Sequence, residues 1–312
     1  MSKKAADKMF PIKTFISDIP ANSFQSASPE NGHGRLVIVG DVHGMRGSLE
    51  ALLEKVSFNK ENGDHLILVG DLVNKGPDSP GVIDLAMKLG ASAVRGNHDN
   101  AVLNAAREIQ AAKENTSPVG GLGIVDSPNK SEASPPVHTV HNPDVPEKAT
   151  SPKYDTARAL SKMQMDWIAA LPLVLRIKLP HHSSSSLGDQ LVVVHAGLAP
   201  GVPLEDQDPH AVMHMRSLVR AGDEASISPT EAPGDESWVR EWDQYQEGLA
   251  SKSTVVFGHD AKRRLQLGKY AIGLDSGCLY GNQLSAAVIK ISDGVITHDV
   301  ISVECADPHL VV

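Results

Sequence analysis

At 312 residues, 41% of them apolar, the chain can bury the core of one large α/β domain or of two small ones and cannot be disordered throughout. A formal net charge of −9 excludes the broad basic surface of a general nucleic-acid binder, so a polyanionic partner needs a local basic patch or bound metal. Cys278 and Cys305 are the only cysteines, too few for a disulfide framework or a cysteine-built zinc site, and predict a reduced intracellular protein.

Residues 1–33 are polar, Ser/Asn-rich and aperiodic, and are expected to form a flexible N-terminal tail. The basic start is not followed by an apolar segment, and no later run reaches the length of a membrane span. The expectation is a soluble chain, cytoplasmic with a nuclear location open, making no membrane contact. From residue 34, β-rich runs alternate with helical spacing: "LVIVGD" then "SLEALLEKV", "HLILVGD" then "GVIDLAMKLG", "ASAVRGNHD" then "AVLNAAREIQAA". Such alternation predicts βαβ units around a largely buried sheet. Residues 113–153 hold seven prolines among Ser, Asn, Thr and charges, and read as a disordered insertion. Two shorter polar breaks follow; the first carries His181 and His182, read as surface loop. "LSAAVIKISDGVITHDVISV" predicts a hairpin turning at "SDG". One domain over 34–305 is expected, with 306–312 as a C-terminal tail.

Five apolar runs end in polar residues of one kind: Asp41 with His43, Asp71, Asn97 with His98, His195, and His259 with Asp260. In a mainly parallel sheet the carboxyl ends of the strands share one edge, so these residues converge although far apart in sequence. Carboxylates, an amide and several imidazoles in one crevice call for a cation, and the mixture suits Mn, Zn, Fe or Co better than Ca.

The motifs "GDVHG", "GDLVNKG", "RGNHD", "VHAG" and "FGHD", in that order, resemble those of the calcineurin-like metallophosphoesterases of the phosphoprotein phosphatase superfamily. "GDLVNKGP", "RGNHDN" and "GLDSGCLYG" are similar to the ApaH-like branch, whose bacterial members split diadenosine tetraphosphate symmetrically. The likeness runs from about Arg35 to Lys290. It implies an αββα sandwich of two mixed sheets flanked by helices, with two divalent metal ions per chain. Asp41, His43 and Asp71 would hold one metal; Asp71 would bridge to a second, held by Asn97, His195 and His259. His98 would be the general acid, and Lys75 and Arg216 phosphate contacts. The implied chemistry is attack by a metal-bridging hydroxide on a phosphorus centre. Protein phosphatases carry Asp at the position of Asn74; an amide can accept a hydrogen bond from the ring of His98 but cannot stabilise imidazolium by charge.

Beside the site, "DAKRR" places three cations after His259, and Arg263 and Arg264 suit a substrate with more than one phosphate. Arg46 is a further candidate contact. Arg95 reads as a loop brace, Cys278 as a small buried residue, and Trp167, Trp238 and Trp242 as core or docking residues. Tyr280 is either a substrate contact at the rim or a packed tyrosine. The leading expectation is a phosphohydrolase cleaving phosphoanhydride bonds of a dinucleoside polyphosphate or inorganic polyphosphate. The alternatives are a Ser/Thr protein phosphatase, which Asn74 disfavours, and an inactive binding protein of the same fold. Oligomeric state is left open.

Overall fold

The strand Arg35–Val39 is buried on both faces: Leu36 and Ile38 enter one apolar cluster, Val37 and Val39 another. A strand with that pattern must lie inside a layered fold. The computed structural model describes residues 9–20, 34–116, 151–179, 184–221, 226–235, 237–292 and 295–307.

The first of two six-stranded sheets runs β4 (Ser92–Ala93), β3 (His65–Leu68), β2 (Arg35–Val39), β13 (Gln283–Ser292), β14 (Val295–Glu304), β6 (Ser184–Ser185). β4, β3 and β2 are parallel, while β13 lies antiparallel to both β2 and β14. The second sheet runs β1 (Ile16–Ile19), β5 (Val174–Lys178), β7 (Gln190–Val194), β10 (Ser253–Phe257), β12 (Ala271–Gly273), β11 (Gln266–Leu267), with β7, β10 and β12 parallel. A separate hairpin joins β8 (Ser217–Ala221) and β9 (Ser226–Thr230).

Leu36, Ile38 and Ile67 of the first sheet meet Leu175, Leu191, Val193 and Val256 of the second, so the sheets pack face to face. Outside the first sheet lie α1 (Arg46–Lys55), α2 (Ser79–Leu89), α3 (Asn97–Thr116), α4 (Pro152–Ala159) and α5 (Lys162–Ala170); Leu49, Val82, Val102, Tyr154 and Ile168 cover Val37 and Leu66. Outside the second, α6 (Pro209–His214) and α7 (Val239–Glu247) bring Val212, Met213 and Trp242 onto Val192 and Val255. Each such buried aliphatic side chain contributes about 1.5–3 kcal/mol. The architecture is therefore the expected sandwich of two mixed sheets between helical layers.

Local signals set the helix ends. Asp78 caps α2 by accepting the Gly81 N–H at 2.8 Å, and Gly90 closes it in the left-handed conformation. Ser161 and Gln164 form a capping box on α5. Met45 gives α1 no side-chain cap, and the amides of Gly47 and Ser48 instead donate to Asp307, near the other end of the chain.

Four expectations change. Residues 16–19 are not tail but the edge strand β1, parallel to β5; a four-residue strand between polar flanks leaves little periodicity to read. Asp307, expected in the C-terminal tail, is tied to α1. The expected insertion overlaps helix at both ends, since α3 reaches Thr116 and α4 starts at Pro152; residues 117–150 lie outside the described residues, as do His181 and His182. Cys278 and Cys305 are joined in a disulfide with a Cα–Cα distance of 5.4 Å. The β13–β14 register brings Gln283 opposite Glu304, which puts cysteines 27 residues apart beside each other.

Candidate metal centre and its outer cavity

All five polar motifs come together at one edge of the sandwich. Asp41 and His43 follow β2, Asp71 follows β3, Asn97 and His98 follow β4, His195 follows β7 and His259 follows β10. The two sheets contribute from both sides, and glycines let them close. A Cβ on Gly258 would stand 1.8 Å from Oδ1 of Asp41, and one on Gly96 would stand 2.2 Å from Oδ1 of Asp71. His43, Asp71 and His259 adopt φ of 47°, 49° and 72°. Side chains rarely take that left-handed conformation, which costs on the order of 1–3 kcal/mol each and marks a site held against local preference.

Two clusters of donor atoms share one carboxylate. Asp71, His43 and His98 form the first, Asp71, His195 and His259 the second, with donor atoms within 4.8 Å of one another in each. Nε2 of His43 lies 3.5 Å from one oxygen of Asp71, and Nε2 of His195 lies 3.4 Å from the other. Asp41 sits beside them with both carboxylate oxygens 3.1 Å from the His259 backbone nitrogen.

Hydrogen bonding fixes which ring nitrogens face inward. Nδ1 of His195 lies 3.0 Å from the Val69 carbonyl, to which only an N–H can donate, so Nε2 is the nitrogen left to act as an acceptor or ligand. That nitrogen is 2.9 Å from Oδ1 of Asn97. Nε2 of His259 faces the His214 carbonyl at 3.2 Å in the same way, leaving Nδ1 bare, 3.1 Å from the same amide oxygen. His43 turns Nε2 toward Asp71, while its Nδ1 is buried without a hydrogen-bond partner. Bare acceptors aimed at one another repel, and a cation is the partner they have in common. The residues present therefore fit divalent metal.

Electrostatics agrees with that reading. Burial pushes His43 down to about 3 and, with His195 and Arg216, holds His259 well below the imidazole range, so both rings are neutral. Burial and the neighbouring Asp275 and Asp71 push Asp41 well above the carboxylate range. Burial likewise pushes Asp275 to about 7, with Asp71 and Asp260 adding repulsion. Such crowding of buried acids is relieved by positive charge.

Asn74 and His98 meet, but with polarity opposite to the expectation. Oδ1 of Asn74 accepts the Lys75 N–H at 3.0 Å, so its Nδ2 faces Nδ1 of His98 and donates to it, also at 3.0 Å. His98 then carries its proton on Nε2. Its pKa is lowered, chiefly by burial; Asp71 opposes the shift and Lys75 adds to it.

His43, Asp71, Lys75, Asn97, His98 and Asp275 line an inner cavity of about 70 Å³ together with Arg216, His259 and Tyr280. The last three also line an outer cavity of about 550 Å³, walled by Lys262, Arg264 and Asn282. Tyr280 is 49% exposed at the junction, a rim residue rather than a packed tyrosine. Arg263 does not line the outer cavity: its guanidinium pairs with Asp260 at 2.5 Å and donates to the carbonyls of Pro233 and Gly234. Those carbonyls, distant in sequence, outcompete solvent for the fork, so Arg263 is a brace, and Lys262 rather than Arg263 lines the cavity. Arg46 pairs with Glu50 and Asp78 away from both cavities. Buried Arg95 braces the chain through the carbonyls of Phe10, Pro11 and Ala169. Trp238 and Trp242 are core, donating to the carbonyls of Ala196 and Ser253; Trp167 packs partly buried against the helices.

The sequence reading missed two residues. Asp99 accepts the N–H groups of Leu72 and Val73 with one oxygen and that of Gly96 with the other, at 2.9 to 3.2 Å, locking the Asp71 and Asn97 loops together. Its place directly after His98 was the available signal. Asp275, six residues past Lys269 in "GLDSG", follows a strand as the other acids do, and that shared position could have found it.

Comparison with known proteins gives the same reading. A zinc-dependent endopolyphosphatase of Saccharomyces cerevisiae is 28% identical over 286 residues, covering 86% of this chain and 81% of its own. A symmetrical bis(5'-nucleosyl)-tetraphosphatase of Vibrio parahaemolyticus is 28% identical over 258 residues, covering 80% of this chain and 92% of its own. The crystal structure of a candidate diadenosine tetraphosphatase superposes with a TM-score of 0.60 at 32% identity, over 92% of this chain and 98% of that one. Among the described residues no helix is long and apolar enough to cross a membrane. The calcineurin-like phosphoesterase model matches residues 34–270, the span that holds both donor clusters, and the chain belongs to that metal-dependent family of phosphoesterases.

Proposed function

We propose that the chain hydrolyses phosphoanhydride bonds in a chain of phosphates, a dinucleoside polyphosphate or inorganic polyphosphate, with two divalent cations. Asp41, His43 and Asp71 would hold one, and Asp71, Asn97, His195 and His259 the other. When bound, the pair supplies positive charge against phosphoryl oxygens and acidifies a water nucleophile. The protein's own groups do the rest. Lys75 and Arg216 hold the oxygens of the reacting phosphoryl group. His98 aims Nε2–H at the leaving oxygen: the neutral ring hydrogen-bonds that oxygen, and only the imidazolium form, which Asn74 disfavours, can transfer the proton to it. Arg216 stands where the cavities meet, and Lys262 and Arg264 hold the phosphates beyond it, with Tyr280 and Asn282 at the rim.

The observation that carries this reading is the continuation of the inner cavity into a larger one walled by cations. A monoester would leave that volume unused, whereas a phosphate chain fills it with the charge it is built for. The relatives named for tetraphosphatase and endopolyphosphatase activity support it. A hydrolysis panel of diadenosine tetraphosphate, polyphosphate, capped RNA and phosphopeptides, each with Mn, Zn, Co and Mg, tests it. Hydrolysis of phosphoanhydrides well above phosphopeptides is expected; preference for phosphopeptides would restore the protein-phosphatase reading.

A further inference from the structure

The turn that carries Tyr280 is fastened to the end of the chain by a covalent bond. Cys278 opens a single-turn helix, Cys278–Tyr280, between Gly277 and Gly281, which adopt φ of 80° and 73°. Cys305, directly after β14, is bonded to Cys278, and its N–H donates to the Asn282 carbonyl at 2.8 Å. Two residues further, Asp307 accepts the Gly47 and Ser48 amides that begin α1. Residues 305–307 thus strap together the rim of the substrate cavity and the helix that follows Asp41 and His43.

Without the bridge the turn keeps buried Leu279 in the core and its hydrogen bonds, but no covalent tie holds its outer residues to the end of the chain. Tyr280 is half exposed, and within the turn the backbone bonds run from Tyr280 and Asn282 to the Gly277 carbonyl and from Gly281 to that of Cys278. Both flanking glycines are free to take other conformations. Cys278 is buried, whereas Cys305 is only partly buried, so the Cys305 side is the more open approach to the bridge.

We propose that the Cys278–Cys305 disulfide is a redox-sensitive positioning device that sets the Tyr280–Asn282 rim and with it the affinity for the extended part of the substrate. The proposal rests on the phosphate-chain reading above. In the step, a dithiol reductant attacks the bridge through one thiolate and closes its own disulfide with the second. Two electrons and two protons pass to the cysteine pair, leaving two thiols and an oxidised reductant. The metal cluster takes no part, because neither sulfur belongs to it. The reduced turn keeps buried Leu279 and its backbone bonds but loses its covalent tie to Cys305, so the rim loosens and substrate binding weakens while the reacting centre is unchanged.

The test uses the full-length, metal-loaded chain, oxidised with glutathione disulfide or reduced with a phosphine, which does not chelate as a dithiol does. Alkylation and intact mass should count no free thiols in the first form and two in the second. Reduction should raise KM for polyphosphate about five-fold or more, leave kcat for p-nitrophenyl phosphate within two-fold, and speed hydrogen exchange in residues 277–283. Cys305→Ser should behave like the reduced form and no longer respond to the phosphine. Failure to obtain the oxidised form, or equal KM and exchange in both forms, would overturn the proposal. If p-nitrophenyl phosphate is hydrolysed and phosphoanhydrides are not, the substrate reading fails instead, and redox-dependent exchange at the rim still decides the device.

Discussion

The side-chain nitrogen of Asn74 donates to Nδ1 of His98 across 3.0 Å, fixing the ring as the Nε2–H tautomer and opposing its conversion to imidazolium. An imidazolium would present a second donor to a donor. The wild-type ring is therefore neutral over most of the physiological range, its pKa lowered first by burial. Asn74→Asp replaces the donor with a carboxylate that wants an Nδ1–H and favours the charged ring. The pKa of His98 should rise, and the basic limb of the kcat profile should move up by about one pH unit or more. An unmoved limb in Asn74→Asp would mean that His98 does not supply the proton.

Lys262 and Arg264 line the outer cavity, whereas Arg263 is engaged by Asp260, Pro233 and Gly234. Charge-assisted contacts of this kind contribute about 1.5–3 kcal/mol when dry and less at a wet rim. Removing both Lys262 and Arg264 side chains to alanine should raise KM for polyphosphate about tenfold, with p-nitrophenyl phosphate nearly unaffected, because remote binding is lost and the chemical step is not. Equal effects on both substrates would make these cations a solvated face.

Metal uptake should depend on pH in a stated direction. In the metal-free fold, burial raises Asp41 well above its ordinary range and Asp275 to about 7. Each contributes stability that is present below its unfolded value and lost as pH rises through its folded one. Between pH 5 and 7.5 the metal-free chain should lose stability from these acids while a cation relieves them. His43, pushed down to about 3, is already neutral across that window and opposes no binding. The gap in melting temperature between metal-loaded and metal-free chain should widen from pH 5 to 7.5; a constant or narrowing gap would show that these acids do not face the cation.

Much of the fold was legible because its signals are local. The continuous apolar run Leu36–Val39, and glycines before Asp41, Asp71 and His259, announce buried strands that end in polar turns. The convergence of the five motifs followed from the rule that parallel strands share a carboxyl edge. What stayed hidden depends on partners distant in sequence. The direction of Arg263 is set by Pro233 and Gly234, and the cysteine bridge by the β13–β14 register. Strand β1 is too short to show a period and gains its identity from β5. The role of Asn74 as donor depends on the Lys75 N–H taking its oxygen, a backbone geometry with φ of 81° at Asn74 and 71° at Lys75 that side chains seldom adopt and no composition rule suggests.

The central claim is that Asp71 joins two donor clusters into one centre for two cations. Elemental analysis of the chain after equilibrium dialysis against Mn or Zn, paired with activity before and after chelator, tests it most directly. The account predicts two ions per chain and loss of phosphoanhydride hydrolysis when they are stripped. At most one ion per chain, with full activity retained in chelator, would contradict it.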